Sequence, residues 1–153
     1  MAYRKFFLMI VVSTAMMFGL MYLNTYQVSH VYFSQTRAWM ALLMGAAMAF
    51  VMLLFMWPMY PGRRRKLAIL AASGAVAAVS LWFVRSQAAV GDLAWMRAMI
   101  PHHSIAILTS ERASLKDPRV RKLAAGIVDT QRREIAEMEA LIKDIDADQA
   151  RQR

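Results

Sequence analysis

AWMALLMGAAMAFVMLLFMWPMY, residues 38–60, contains no acid, lysine or arginine. As a helix, an apolar run of this length crosses the roughly 30 Å of hydrocarbon in a bilayer. Two further segments have the same character, about Phe6 to Leu23 and about Leu67 to Val84. Tyr22, Tyr26, Trp39, Trp57, Tyr60 and Trp82 fall where membrane interfaces are expected. The sequence therefore predicts an all-α chain whose residues 1–84 form a membrane domain with three spans, at about 6–23, 38–60 and 67–84. Hydrophobic residues make up 59% of the chain, a high share for a soluble domain. Arg4 and Lys5 precede the first apolar run, as they would in a signal peptide. No A-x-A-like site follows it, so an uncleaved anchor is expected.

The formal net charge is +9, yet its distribution argues for topology rather than for nucleic acid as a partner. No acidic residue precedes Asp92. The basic residues of the first 84 are Arg4, Lys5, Arg37 and the block Arg63-Arg64-Arg65-Lys66. The positive-inside rule puts the N-terminus and the Arg63 to Lys66 loop in the cytoplasm, so three crossings leave Arg85 onward outside. The chain has no cysteine, which removes disulfides and thiolate metal sites.

Residues 85–153 read differently. Gly91 breaks the preceding run, and Asp92 is a plausible N-cap for a helix to about Leu115. Asp117-Pro118 repeats the start signal, with Pro in the first helical position. A second helix to about Asp146 carries Leu123, Ile127, Ile135, Met138, Leu141, Ile142 and Ile145 at helical spacing. With so short a linker, the two helices are expected to pack as an antiparallel hairpin.

The chemistry-bearing stretch is Met96-Arg-Ala-Met99-Ile-Pro-His102-His103. Thioether sulfur and imidazole nitrogen suit copper, the thioether favouring Cu(I). On a helix Met99 stands three residues before His102 and four before His103, so either pair can face one ion. Packed histidines bonded to their neighbours are the other reading. Pro101 removes an N–H and clashes with the carbonyl of Arg97, so a kink or break is expected just before His102. On the second helix Gln131 and Glu134 lie on or beside the apolar stripe, where a carboxylate is costly unless paired, hydrogen-bonded or bound to metal.

Met-Ile-Pro-His-His at 99–103, with Asp92 before it and Ala106 after it, resembles the signature of the domain of unknown function 305 family. Leu123-Ala124, Ile127, Gln131, Glu134-Ile135 and Met138 resemble that family's second-helix pattern. The resemblance covers about Asp92 to Ile142. It implies a ferritin-like helical domain associated with copper. The matching positions for a metal site are Met96, Met99, His102, His103, Gln131, Glu134 and Met138. Copper, as Cu(I) or Cu(II), is implied ahead of iron. A single hairpin is half of a ferritin-like four-helix bundle, so a homodimer through Ile127, Gln131, Glu134 and Met138 is expected to complete it. Resembling proteins with three spans are small membrane proteins of bacterial type, which implies the inner membrane with the C-terminal domain in the periplasm.

Met40, Met44, Met48, Met52 and Met56 recur every four residues along the second span. Repeated M-x-x-x-M resembles the middle span of eukaryotic high-affinity copper transporters, but the orientation expected here is opposite. Methionine as an adaptable filler of helix contacts is the preferred reading. His30, in the outer loop, reads as a solvated side chain.

Three function classes stand at this point. The first is a membrane-anchored, extracytoplasmic copper-binding protein that sequesters the metal or exchanges it with a donor or acceptor protein. The second is a metal-dependent redox enzyme of ferritin-like type. The third is a structural or interaction module without metal. Di-iron bundles use about four carboxylates with Glu-x-x-His pairs, and residues 85–153 contain no Glu-x-x-His. The binding reading leads, and no catalytic residue is assigned.

Overall fold

The computed structural model describes residues 2–151. It is all-α, with α1 Ala2–Leu20, α2 Gln35–Phe55, α3 Arg63–Ser86, α4 Asp92–Arg112 and α5 Pro118–Arg151. Short 3-10 turns occupy Val28–His30 and Trp57–Met59. The chain divides into two compact units: residues 1–21 with 35–89, and residues 22–34 with 90–153.

In the first unit α2 packs on both α1 and α3, and all three are long and apolar enough to cross a membrane. Their ends differ from the sequence expectation for local reasons. The second helix stops at Phe55 instead of reaching Tyr60, because Pro58 disfavours helical backbone before it and the chain tightens into the 3-10 turn. Gly62, at φ 84°, turns the chain into α3 through a conformation a side chain would strain. Gln87, in the left-handed region, ends α3 and returns its side-chain N–H to the Val84 carbonyl at 2.7 Å.

The packing of this unit inverts that of a water-soluble bundle. The buried face of α2 is made of Ala41, Gly45, Ala46, Ala49 and Leu53, and the buried residues of α3 include Ser73 and Ser80. Large side chains such as Leu8, Val12, Phe50, Leu54, Val79 and Trp82 point outward. Small residues inside let helix backbones approach closely, the arrangement favoured when the surroundings are as apolar as the side chains. Trp39 stacks on Phe83 with ring centroids 4.4 Å apart. Farther along, Phe6, Tyr3 and Tyr60 form an aromatic cluster, and Tyr3 Oη donates to the Pro61 carbonyl at 2.7 Å.

The second unit is built on the α4–α5 contact. Its core is Met96, Ile100, Ile107, Val128, Ile135, Met138 and Ile142, edged by Tyr26, Tyr32, Leu93, Met99 and Ile145. Gly91 rather than Asp92 is the N-cap of α4, and α5 runs to Arg151. Asp117 caps α5: its Oδ1 accepts the Arg119 N–H at 2.8 Å. The Arg119 guanidinium, then that N–H, hold the Asp117 carboxyl below its ordinary value, so the cap is strongest while the carboxyl is ionised. Pro101 neither breaks nor ends α4, which is continuous from 92 to 112. Pro101 is itself buried against the core, and tertiary packing of this kind outweighs one missing ladder bond.

The tightest crossing of the first unit gives a test. A methyl group on Gly45 would collide with Thr14 Oγ1 and sit 3.2 Å from its Cγ2. Gly45→Ala should destabilise the α1–α2 contact by about 1–3 kcal/mol, the usual cost of overpacking. Adding Thr14→Ala should restore most of it. Thermal unfolding in detergent, followed by circular dichroism, reads both, and equal stability of Gly45→Ala and the parent would refute the crossing.

Candidate metal centre

The seven candidate residues separate into three groups. Met96 and Met138 are buried in the core of the second unit, with Met99 at its edge. His103 and Glu134 meet: Nε2 and Oε2 lie 2.8 Å apart. His102 is exposed, and Gln131 is half-buried beside Ile127 and Leu123 on a shallow groove of α5. The ring centroids of His102 and His103 are 6.2 Å apart with planes at 69°, so the two imidazoles diverge. This follows from the helix, which turns consecutive residues by about 100°.

The hydrogen bonds of His103 define its chemistry. Nδ1 lies 3.0 Å from the Met99 carbonyl one turn earlier. A carbonyl can only accept, so Nδ1 carries a proton. The Nε2–Oε2 contact then needs a second proton between imidazole and carboxylate. With that proton on nitrogen, the pair is an imidazolium–carboxylate ion pair. Without it, two lone-pair donors stand 2.8 Å apart. The imidazole is mostly buried, at 15% side-chain exposure, whereas Glu134 is 43% exposed and reachable from solvent. Burial on one side and access on the other suit a site that exchanges an ion. Among the described residues no group of three or more His, Cys, Asp and Glu side chains is placed to hold a metal. One chain therefore brings together an imidazole and a carboxylate, with the Met99 backbone carbonyl on the other ring nitrogen.

Two further ion pairs link the same helices: Arg97 with Asp146 at 3.0 Å, and Arg132 with Glu111. Both are largely exposed, and pairs of that kind stabilise by about 0–1 kcal/mol. They join the two helices on either side of the His103–Glu134 contact.

A polar cluster absent from the sequence reading adjoins the site. Ser104, next to His103, is wholly buried. Its Oγ accepts the Tyr26 N–H at 2.7 Å and lies 2.9 Å from His30 Nδ1. His30 is thus buried rather than solvated. The available signal was Ser104 itself, which falls between Ile100 and Ile107 on the apolar stripe of α4, where a hydroxyl requires a partner.

Comparison with known proteins finds both a relative and a family match. An uncharacterised protein of Acanthamoeba polyphaga mimivirus is 38% identical over 66 residues, 42% of this chain and 43% of that protein. The chain thus spans less than half the length of this relative. No solved structure matches. Residues 85–153, which hold all seven candidate residues, match the family described as domain of unknown function (DUF305).

Proposed function

We propose that the chain is a membrane-anchored, extracytoplasmic copper-binding protein that sequesters the metal or exchanges it with a partner protein. The observation that supports this most is the His103 Nε2–Glu134 Oε2 contact at 2.8 Å, with Met99 one turn before His103. A cation can take the place of the shared proton between these two donors, and the thioether adds the soft ligand that favours Cu(I). Three apolar helices support insertion in a bilayer. The exposed block at Arg63 to Arg65 supports a cytoplasmic position for that turn. Residues 22–34 and 90–153 share one compact unit, as a common side of the bilayer requires.

The remaining ligands come, in this reading, from a second copy. Arg97 pairs with Asp146, His103 with Glu134 and Glu111 with Arg132. Partner numbers fall as the α4 numbers rise, which supports an antiparallel hairpin, half of a four-helix bundle. Val120, Leu123, Ile127 and Leu141 leave an exposed apolar band on α5 beside Glu134. A twofold dimer through that band would bring two His103–Glu134 pairs into one bundle.

A structural role without metal is the second reading. It is favoured by the fact that both ring nitrogens of His103 already have protein partners. The two readings part on one titration of the full chain in detergent. His103→Ala should weaken copper binding by about tenfold or more. Met99→Leu should weaken Cu(I) binding more than Cu(II), while costing less than about 1.5 kcal/mol of stability. Loss of stability in His103→Ala with copper affinity unchanged would establish the structural role instead.

The assembly is checked by sedimentation in detergent, where the parent should be at least a dimer. Leu123→Glu with Ile127→Glu should dissociate it, and a parent that sediments as a helical monomer rules the dimer out. Sidedness is checked with a reporter fused to the C-terminus that works only in the periplasm. It should be active, and activity of a cytoplasm-only reporter at that position would reverse the topology.

A further inference from the structure

We infer that Arg4, Lys5, Arg63, Arg64 and Arg65 form a docking surface for the head groups of acidic phospholipids. All five side chains are exposed and make no hydrogen bond or ion pair among the described residues. Their unit, residues 1–21 with 35–89, contains no aspartate or glutamate. Its charge therefore has no counter-charge within the unit.

The five come from two distant stretches that the fold ties together. Tyr3 Oη donates to the Pro61 carbonyl at 2.7 Å, and the Tyr3 and Phe6 rings lie 5.2 and 5.4 Å from that of Tyr60. Phe6 and Tyr60 are both buried in this cluster. The start of α1 is thereby fixed beside the turn into α3, and the two basic groups share one end of the unit.

Lys66, the fourth member of the basic block, shows that this exposure is selective. It is turned inward and buried. Its Nζ donates to the Trp57 carbonyl at 3.0 Å and stands 4.2 Å from the centroid of the Trp57 ring. Lys66 closes the turn, and the three arginines before it are left facing outward. They sit in the first turn of α3, where basic side chains oppose the helix dipole instead of complementing it. Phosphodiester head groups supply the missing negative charge, and arginine binds phosphate oxygens in a bidentate manner. The aromatic residues Tyr3, Trp57 and Tyr60 next to them suit the depth of the head groups.

This inference rests on the reading that α1, α2 and α3 cross a bilayer, and the test separates the two. The full chain is placed in nanodiscs of phosphatidylcholine alone and of phosphatidylcholine with phosphatidylglycerol. The lipids kept on release into detergent are then counted by native mass spectrometry. The parent should enter both discs and keep phosphatidylglycerol in preference. Each surface charge is worth about a fivefold change near an acidic membrane. Arg63→Gln/Arg64→Gln/Arg65→Gln should therefore reduce the preference by about tenfold or more. Arg121→Gln/Arg133→Gln, which removes charge from α5, should leave it unchanged. An unaltered preference in the triple variant overturns the proposal. So does displacement of phosphatidylglycerol by inorganic phosphate, which would mark a small-anion site. Failure to enter either disc would instead sink the membrane reading and this inference with it.

Discussion

The second unit depends on what happens to one hydroxyl. Ser104 lies on the buried stripe of α4 with no exposure to solvent. An unpaired hydroxyl at such a place costs about 1–3 kcal/mol. Tyr26 and His30 meet that requirement, and in doing so they draw residues 22–34 onto α4. Tyr26 and Tyr32 then cover one edge of the core formed by Ile100, Ile107, Ile135 and Met138. The same docking leaves the opposite edge of α5 apolar and open. Two helices alone would have had two uncovered edges.

The first unit answers to a different constraint. Its helices touch through alanine, glycine and serine, and its bulk is carried outward by leucine, valine and phenylalanine. Close contact of backbones, as at Gly45 against Thr14, replaces the burial of large side chains as the source of cohesion. The methionines of α2 fit this pattern. Met44 is exposed, and Met40, Met48, Met52 and Met56 are half-buried, as befits fillers along the flanks of a helix contact.

Much of this was legible in the sequence because apolar length and helical period are local properties. Three apolar helices and two amphipathic ones follow from residue order alone. Pro58 also marks the end of α2, although an apolar run reading on to Tyr60 hides it. The stripe of α5 was harder. Leu123, Ile127 and Leu141 belong to a wide apolar band, and only its Val128, Ile135 and Ile142 side is covered. Nothing in the periodicity tells which side of a wide band meets its neighbour. At the candidate site the pairing of His103 with Glu134 joins two residues already singled out, whereas the divergence of His102 follows from helix geometry. The burial of His30 depends on a partner 74 residues away, and no local pattern reports such a contact.

That separation shapes how the chain is made. The contacts of Ser104 reach back 78 residues to Tyr26 and 74 to His30. At ribosomal rates of 5–20 residues per second, on the order of ten seconds pass between synthesis of the loop and arrival of its partner. Through that interval His30 and the two tyrosines have no core to join, and α4 and α5 must both emerge before one exists. The C-terminal unit is thus assembled from its two ends in time. A fragment beginning at residue 85 would carry the region that matches the family and yet lack the segment that closes its core.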